Sequence, residues 1–107
     1  MNVLVDECVA KPLLKKLQDH KFKTAQEMGW GSMKNGKLLA QAAQSFDAFL
    51  TCDQNIGYQQ NLKGWSIAVL FLSTNLWPAI KPHCTLVQRA LNALQLGQFV
   101  RLEIPQR

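Results

Sequence analysis

Short, almost wholly apolar runs punctuate the chain, and amphipathic segments lie between them. The runs at 3–5, 48–52 and 66–72 are typical of strands that are buried on both faces of a parallel sheet. Two weaker runs, at 22–25 and 99–104, predict an edge strand and a closing strand. The sequence therefore predicts about five strands.

Apolar residues recur at helical spacing in three of the intervening segments. The first begins at Pro12, the second covers 38–46, and the third begins at Pro82 and is stopped by Gly97. Strand and helix alternate without a linker or an internal repeat, which predicts an α/β fold with a mainly parallel sheet of about five strands flanked by helices. A length of 107 residues suits one domain over 1–107.

Charge adds information about the partner. Twelve Lys and Arg residues against seven Asp and Glu residues give a net charge of +5, which favours an anionic partner. Seven of the twelve basic residues lie between Lys11 and Lys37. They either follow a phosphate backbone or form an ordinary solvated surface.

We expect neither a membrane-spanning segment nor a secretory leader. Its longest strongly apolar segment, 67–72, is far shorter than the ~20 residues of a membrane-spanning helix, and no cationic stretch precedes an apolar run at the start. The cysteines Cys8, Cys52 and Cys84 lack the spacing of a zinc site or a disulfide framework, so buried thiols are the simplest interpretation. We expect a cytoplasmic protein that does not enter a membrane.

Acidic residues follow two of the buried strands. Asp6 and Glu7 end the first, and Asp53 ends the run at 48–52. In an open α/β sheet, ligands bind at the carboxyl ends of the strands, and carboxylates gathered there attract Mg²⁺ or Mn²⁺. Because neighbouring side chains of a strand point to opposite faces, Asp6 and Glu7 are not expected to face the site together, and Asp6 is taken as the first ligand. The alternative is that these acids cap helices or turns.

Three runs resemble the PIN-like domains of the DUF5615 group: VLVDE at 3–7, KNGKLL at 34–39 and FDAFLTCDQN at 46–55. The amide-rich run at 59–62 and the strand at 67–72 resemble a subgroup of these domains. PIN domains are small Rossmann-like folds, many of them metal-dependent ribonucleases and many of them toxins of toxin–antitoxin pairs. The resemblance covers nearly the whole chain and implies the same fold.

The resemblance also implies a function, which is metal-dependent hydrolysis of RNA phosphodiester bonds. Asp6 and Asp53 would then bind Mg²⁺ or Mn²⁺, Glu7 would support them, and Asn35 would orient a metal-bound water. A homodimer and a cognate antitoxin are the expected protein partners. The residues expected to contact RNA are Lys34, Lys37, Asn55, Asn61 and Trp30. Their alternatives are solvated lysines, loop hydrogen bonds and packing of the indole, and Asn35 also suits a helix N-cap.

The chain departs from the PIN pattern at two acids. Asn35, with Lys37 beyond it, stands where a PIN nuclease normally has an acid near the start of the middle helix. Ser73, Thr74 and Asn75 stand where the fourth acid is expected. A non-catalytic PIN-like module that pairs with an antitoxin or a nucleic acid is therefore the second hypothesis.

A phospho-receiver domain is the third hypothesis. In it, Asp53 would accept a phosphoryl group, Asp6 and Glu7 would hold Mg²⁺, and Thr74 and Lys81 would complete the site. Receivers place a helix and a strand between the Thr and the Lys-Pro pair, whereas only residues 75–80 separate them here. The spacing therefore disfavours a receiver.

Overall fold

A computed structural model describes residues 1–33, 35–53 and 66–105, with the backbone alone at Asn35 and Gly36. Along the chain its elements are β1 (Asn2–Val5), α1 (Lys11–Leu14), β2 (Lys21–Thr24), α2 (Asn35–Ala42), β3 (Ala48–Thr51), β4 (Ala68–Leu72), α3 (Trp77–Ile80), a 3₁₀ turn (Lys81–His83), α4 (Cys84–Ala93) and β5 (Phe99–Leu102).

The five strands form one parallel sheet in the order β2-β1-β3-β4-β5. The chain moves from β1 outward to β2, then returns past β1 to form β3. This is a doubly wound order, and the reversal between β1 and β3 is its topological switch point. The predicted fold class is confirmed: the described chain is an α/β domain with a Rossmann-like parallel sheet flanked by helices.

Helices cover both faces of the sheet, which is why the inner strands β1, β3 and β4 are apolar at nearly every position. Val3, Val5 and Leu50 belong to the apolar cluster beneath α1, α3 and α4. The alternate strand residues Leu4 and Phe49 belong to the cluster beneath α2. All residues of β3 and β4 are buried, so these strands form the centre of the domain.

The third helical segment differs from its prediction at both ends. A separate helix, α3, precedes it, and the residues around Pro82 form the 3₁₀ turn before α4 begins at Cys84. Proline has no N–H, so the hydrogen-bond ladder of α3 cannot continue through Pro82.

The sequence pattern predicts that Gly97 ends the last helix, and this prediction is wrong. The helix ends at Ala93, and Leu94 is already extended. Gly97 lies in the turn before β5, where its φ of 81° requires glycine-like freedom and its N–H donates to the Ile67 carbonyl oxygen. It therefore positions the start of β5 beside β4.

Candidate acidic site at the carboxyl edge of the sheet

Two acids meet at the switch point because their strands are neighbours. β1 and β3 pair in parallel, with Val5 opposite Leu50. The Asp6 N–H extends this pairing by donating to the Leu50 carbonyl oxygen at 2.9 Å. Asp6 and Asp53 thus follow adjacent strands at the same edge, as the sequence predicts.

Hydrogen bonds hold both oxygens of the Asp6 carboxylate. Oδ2 accepts the Thr51 hydroxyl at 2.8 Å, and Oδ1 accepts the Glu7 N–H at 2.8 Å. A carboxylate oxygen has more than one lone pair, so each keeps capacity for a further ligand. The two hydrogen bonds therefore orient the carboxylate and leave lone pairs on both oxygens for a metal ion or another donor.

Thr51 connects the two acidic segments, and sequence reasoning missed it. Its side chain is fully buried. The hydroxyl donates its one hydrogen to Asp6, while its oxygen accepts the Asp53 N–H at 3.1 Å. The signal in the sequence was a hydroxyl inside an otherwise apolar run, because a buried hydroxyl requires a partner.

Glu7 is directed away from Asp6, as the alternation of strand side chains predicts. Its Oε1 accepts the Gln26 N–H at 2.6 Å, at the end of β2 rather than of β3. The turn that presents this N–H is closed by a reciprocal pair. Thr24 Oγ1 accepts the Glu27 N–H at 3.0 Å and Glu27 Oε1 accepts the Thr24 N–H at 2.9 Å, the arrangement of a capping box.

Two thiols lie beside the acids. The Cys52 N–H donates to Cys8 Sγ at 3.3 Å, and the Cys52 thiol donates to the Cys8 carbonyl oxygen at 3.2 Å. Contact with Cys8, together with burial and the charges of Asp6 and Asp53, raises the pKa of Cys52. The same contact lowers the pKa of Cys8 against the opposing effect of burial. The negative charges of both carboxylates therefore disfavour the thiolate form of Cys52.

Of the residues predicted to contact RNA, Trp30 and Lys37 lie in the described part of the chain. Trp30 donates its backbone N–H to the Ala25 carbonyl oxygen, and its ring packs edge-on against Phe46 at 6.0 Å between centroids. Phe46 precedes the amino end of β3, the edge opposite the acids. The structure therefore supports the packing interpretation of this indole. Lys37 is exposed in the first turn of α2.

The remaining predictions fall partly or wholly outside the described chain. Asn35 is the first residue of α2, which packs on the sheet face that carries Leu4 and Phe49. By strand alternation Asp6 and Thr51 belong to that same face. The Asn35 side chain and the residues Lys34, Asn55 and Asn61 lie outside the described residues.

Hydroxyl side chains follow β4, where the resemblance predicts an acid, and they stabilise the backbone locally. Ser73 Oγ accepts the Ile104 N–H at 2.7 Å, and Thr74 Oγ1 accepts the Leu76 N–H at 3.1 Å. Lys81 and Pro82 lie in the 3₁₀ turn before α4, not beyond β5. This placement adds no support to the receiver hypothesis.

The donor set suits a hard cation held largely by water. In the ranges 1–33, 35–53 and 66–105, no group of three or more His, Cys, Asp or Glu side chains is arranged to hold a metal ion. Asp6 and Asp53 supply two carboxylates, and Mg²⁺ commonly binds through one or two carboxylates while it retains several waters. The residues present therefore fit Mg²⁺ or Mn²⁺ better than zinc.

No family model, curated protein or solved structure matches this chain. The resemblance to PIN-like domains therefore stays a prediction from the residues quoted above. Among the described helices, none is long and apolar enough to cross a membrane.

Replacing Thr51 with Val tests the hydroxyl bridge. This nearly isosteric change leaves the Asp53 N–H and one Asp6 oxygen without their buried partner. We expect the free energy of unfolding to fall by about 1–3 kcal/mol, as measured by urea denaturation. The matched control is Thr85→Val at an exposed position of α4. Equal effects of the two substitutions would contradict the bridge.

Replacing Glu27 with Gln tests the capping box. The Thr24 N–H lowers the pKa of Glu27. A lowered folded-state pKa stabilises the fold above the unfolded pKa of about 4.3, and this stabilisation disappears as the pH falls through the folded pKa. We therefore expect the variant to be less stable at neutral pH and the difference to vanish in acid.

Urea denaturation over a series of pH values measures that difference. Glu103→Gln, which also removes one exposed negative charge, controls for the change in net charge. A stability difference for Glu27→Gln that stays constant into acid would show that the carboxylate charge is not responsible.

Proposed function

We propose that this protein is a metal-dependent ribonuclease that hydrolyses RNA phosphodiester bonds. The observation that carries the proposal is the pair Asp6 and Asp53 on adjacent parallel strands at the switch point, joined through the Thr51 hydroxyl. Two acids separated by 46 positions reach one edge, where an α/β sheet binds ligands.

In this proposal Asp6 and Asp53 hold Mg²⁺ or Mn²⁺. The bound cation would supply a Lewis acid that orients water and neutralises charge developing on the phosphate. Thr51 and the Glu7 N–H fix the Asp6 carboxylate before substrate arrives, so no reorganisation of this group is needed. Glu7 would support the edge from the β2 side, and the resemblance gives Asn35, at the start of α2, the role of orienting the attacking water.

The charges beside the acids suit a polyanionic substrate. Lys11 of α1 and Lys15, which directly follows this helix, line a cavity of about 370 Å³ together with Thr24, Gln26 and the acidic Glu27. The Gln26 N–H binds Glu7, so this cavity adjoins the acidic edge. Its lysines are placed to bind RNA phosphates as the strand approaches the metal. The resemblance adds Lys34, Lys37, Asn55 and Asn61 as further candidates for RNA contact, whereas Trp30 is assigned to packing.

A non-catalytic PIN-like module is the second candidate, and a specific observation favours it. The hydroxyls of Ser73 and Thr74, where a PIN nuclease has an acid, accept backbone N–H groups, and Asn35 replaces another acid. Such a module would pair with an antitoxin or a nucleic acid. For either candidate, the resemblance suggests a cytoplasmic protein, an antitoxin partner and a homodimer.

Calorimetric titration with Mn²⁺ tests the metal site. We expect saturable binding that Asp6→Asn or Asp53→Asn weakens by at least about tenfold, because each removes a charged ligand. Asp19→Asn is the matched control, since Asp19 is exposed near the opposite edge with a φ of 70°, a conformation that Asn also tolerates.

RNA cleavage in the presence of Mg²⁺ then separates the two candidates. A nuclease loses cleavage in Asp6→Asn and Asp53→Asn and keeps it in Asp19→Asn. RNA or antitoxin binding that is indifferent to Mg²⁺ and to Asp53→Asn supports the non-catalytic module. Absence of Mn²⁺ binding at millimolar metal contradicts the nuclease proposal.

A further inference from the structure

Cys8 and Cys52 contact each other reciprocally at the carboxyl edge. Cys8 follows β1 and Cys52 follows β3. The Cys8 sulfur lies 3.3 Å from the Cys52 backbone nitrogen, and the Cys52 sulfur lies 3.2 Å from the Cys8 carbonyl oxygen. Each sulfur is therefore directed at the other cysteine rather than away from it.

The spacing of the two segments suits a disulfide bond. Neighbouring strands of a sheet lie about 4.7–4.9 Å apart, and bridged cysteines have Cα atoms about 4.4–6.8 Å apart. The Asp6 N–H to Leu50 carbonyl bond keeps the two segments paired to within two residues of the thiols. Cys8 itself lies in the turn after β1, so the two sulfur–backbone contacts, rather than the strand spacing alone, bring the cysteines together.

The two thiols differ in access to solvent. Cys8 is partly exposed, whereas Cys52 is only 6% exposed. A reagent from solution therefore reaches Cys8 first, and Cys52 is the neighbour that attacks the product. Partial exposure of one thiol beside a protected second thiol is the arrangement that resolves a mixed disulfide.

We propose that Cys8 and Cys52 form a reversible dithiol–disulfide couple that reacts with small-molecule disulfides, of which oxidised glutathione is the probe. The Cys8 sulfur attacks one sulfur of the glutathione disulfide. A bond forms between Cys8 and glutathione, the glutathione S–S bond breaks, and the released glutathione sulfur takes up the proton lost from Cys8.

The Cys52 sulfur then attacks the Cys8 sulfur of the mixed disulfide. The Cys8–Cys52 bond forms, and the second glutathione leaves with the proton lost from Cys52. In total, two protein thiols are oxidised and one glutathione disulfide is reduced to two glutathione thiols. The couple does not require a bound metal, so it stands or fails independently of the proposed nuclease.

Cys84 provides an internal control. It lies at the start of α4, where its sulfur contacts the carbonyl oxygens of Ile80 and Lys81. All three cysteines are free thiols within the described part of the chain. A non-selective reaction of thiols would therefore modify Cys84 as readily as Cys8.

The test equilibrates the reduced full-length protein with defined ratios of reduced and oxidised glutathione, quenches it with acid, and maps cysteines by peptide mass spectrometry. We expect one intramolecular bond, between Cys8 and Cys52, in the unaltered protein and in Cys84→Ser. In Cys52→Ser we expect the glutathione adduct to accumulate on Cys8. The equilibrium constant for the bond should fall by about tenfold or more when the chain is unfolded in urea.

Three results would overturn the proposal. One is a folded protein that acquires only glutathione adducts, with no intramolecular bond. Another is bonding of Cys84 to either partner as often as the Cys8–Cys52 bond. The third is an equilibrium constant that urea leaves unchanged, since that would show that the fold does not bring the two thiols together.

Discussion

The parallel pairing of β1 with β3 is the constraint on which the rest of the structure depends. Parallel neighbours cannot be joined by a tight turn, so the chain must make α1, β2 and α2 before it returns as β3. The helices α1 and α2 cover opposite faces of the sheet, so the central strands β3 and β4 are buried at every position. The same pairing delivers Asp6, Cys8, Cys52 and Asp53 to one edge, because parallel strands end on the same side.

Thr51 shows how one hydroxyl organises that edge. A hydroxyl has one hydrogen to donate, and Thr51 gives it to Asp6 while its oxygen receives the Asp53 N–H. Cys8 Sγ lies 3.8 Å from the same oxygen, so Cys8 must be the donor in that contact. The directions of these hydrogen bonds are therefore mutually fixed, and both acidic segments depend on the Thr51 hydroxyl at the end of β3.

Sequence reasoning could predict what depends on hydrophobic periodicity. The runs at 3–5 and 67–72 indicated buried strands because both faces are covered, and acids directly after such strands must lie at one edge. It could not predict the short helix α3, since four residues are too few for a periodic pattern. The role of the Thr51 hydroxyl was overlooked because a β-branched residue is common in strands even without a polar partner.

The direction of the Trp30 ring was equally inaccessible. A tryptophan between two glycines has a backbone that can take several paths, and only the packing against Phe46 selects one. The contact between Cys8 and Cys52 depends on which strand lies next to β1. Neither spacing nor composition contains that information, because the two cysteines are 44 positions apart in the chain.

The acids and the thiols occupy the same two segments, and the Thr51 hydroxyl contacts both Asp6 and Cys8. Cys52 is part of the apolar cluster beneath α1, α3 and α4, and Cys8 packs against it. By alternation, Asp6 and Thr51 face α2. Hard cations prefer oxygen ligands, so the thiols do not compete for the proposed metal. The two equilibria are nevertheless linked through the backbone that they share. Any factor by which a bound cation changes the stability of the Cys8–Cys52 bond must equal the factor by which that bond changes the affinity for the cation.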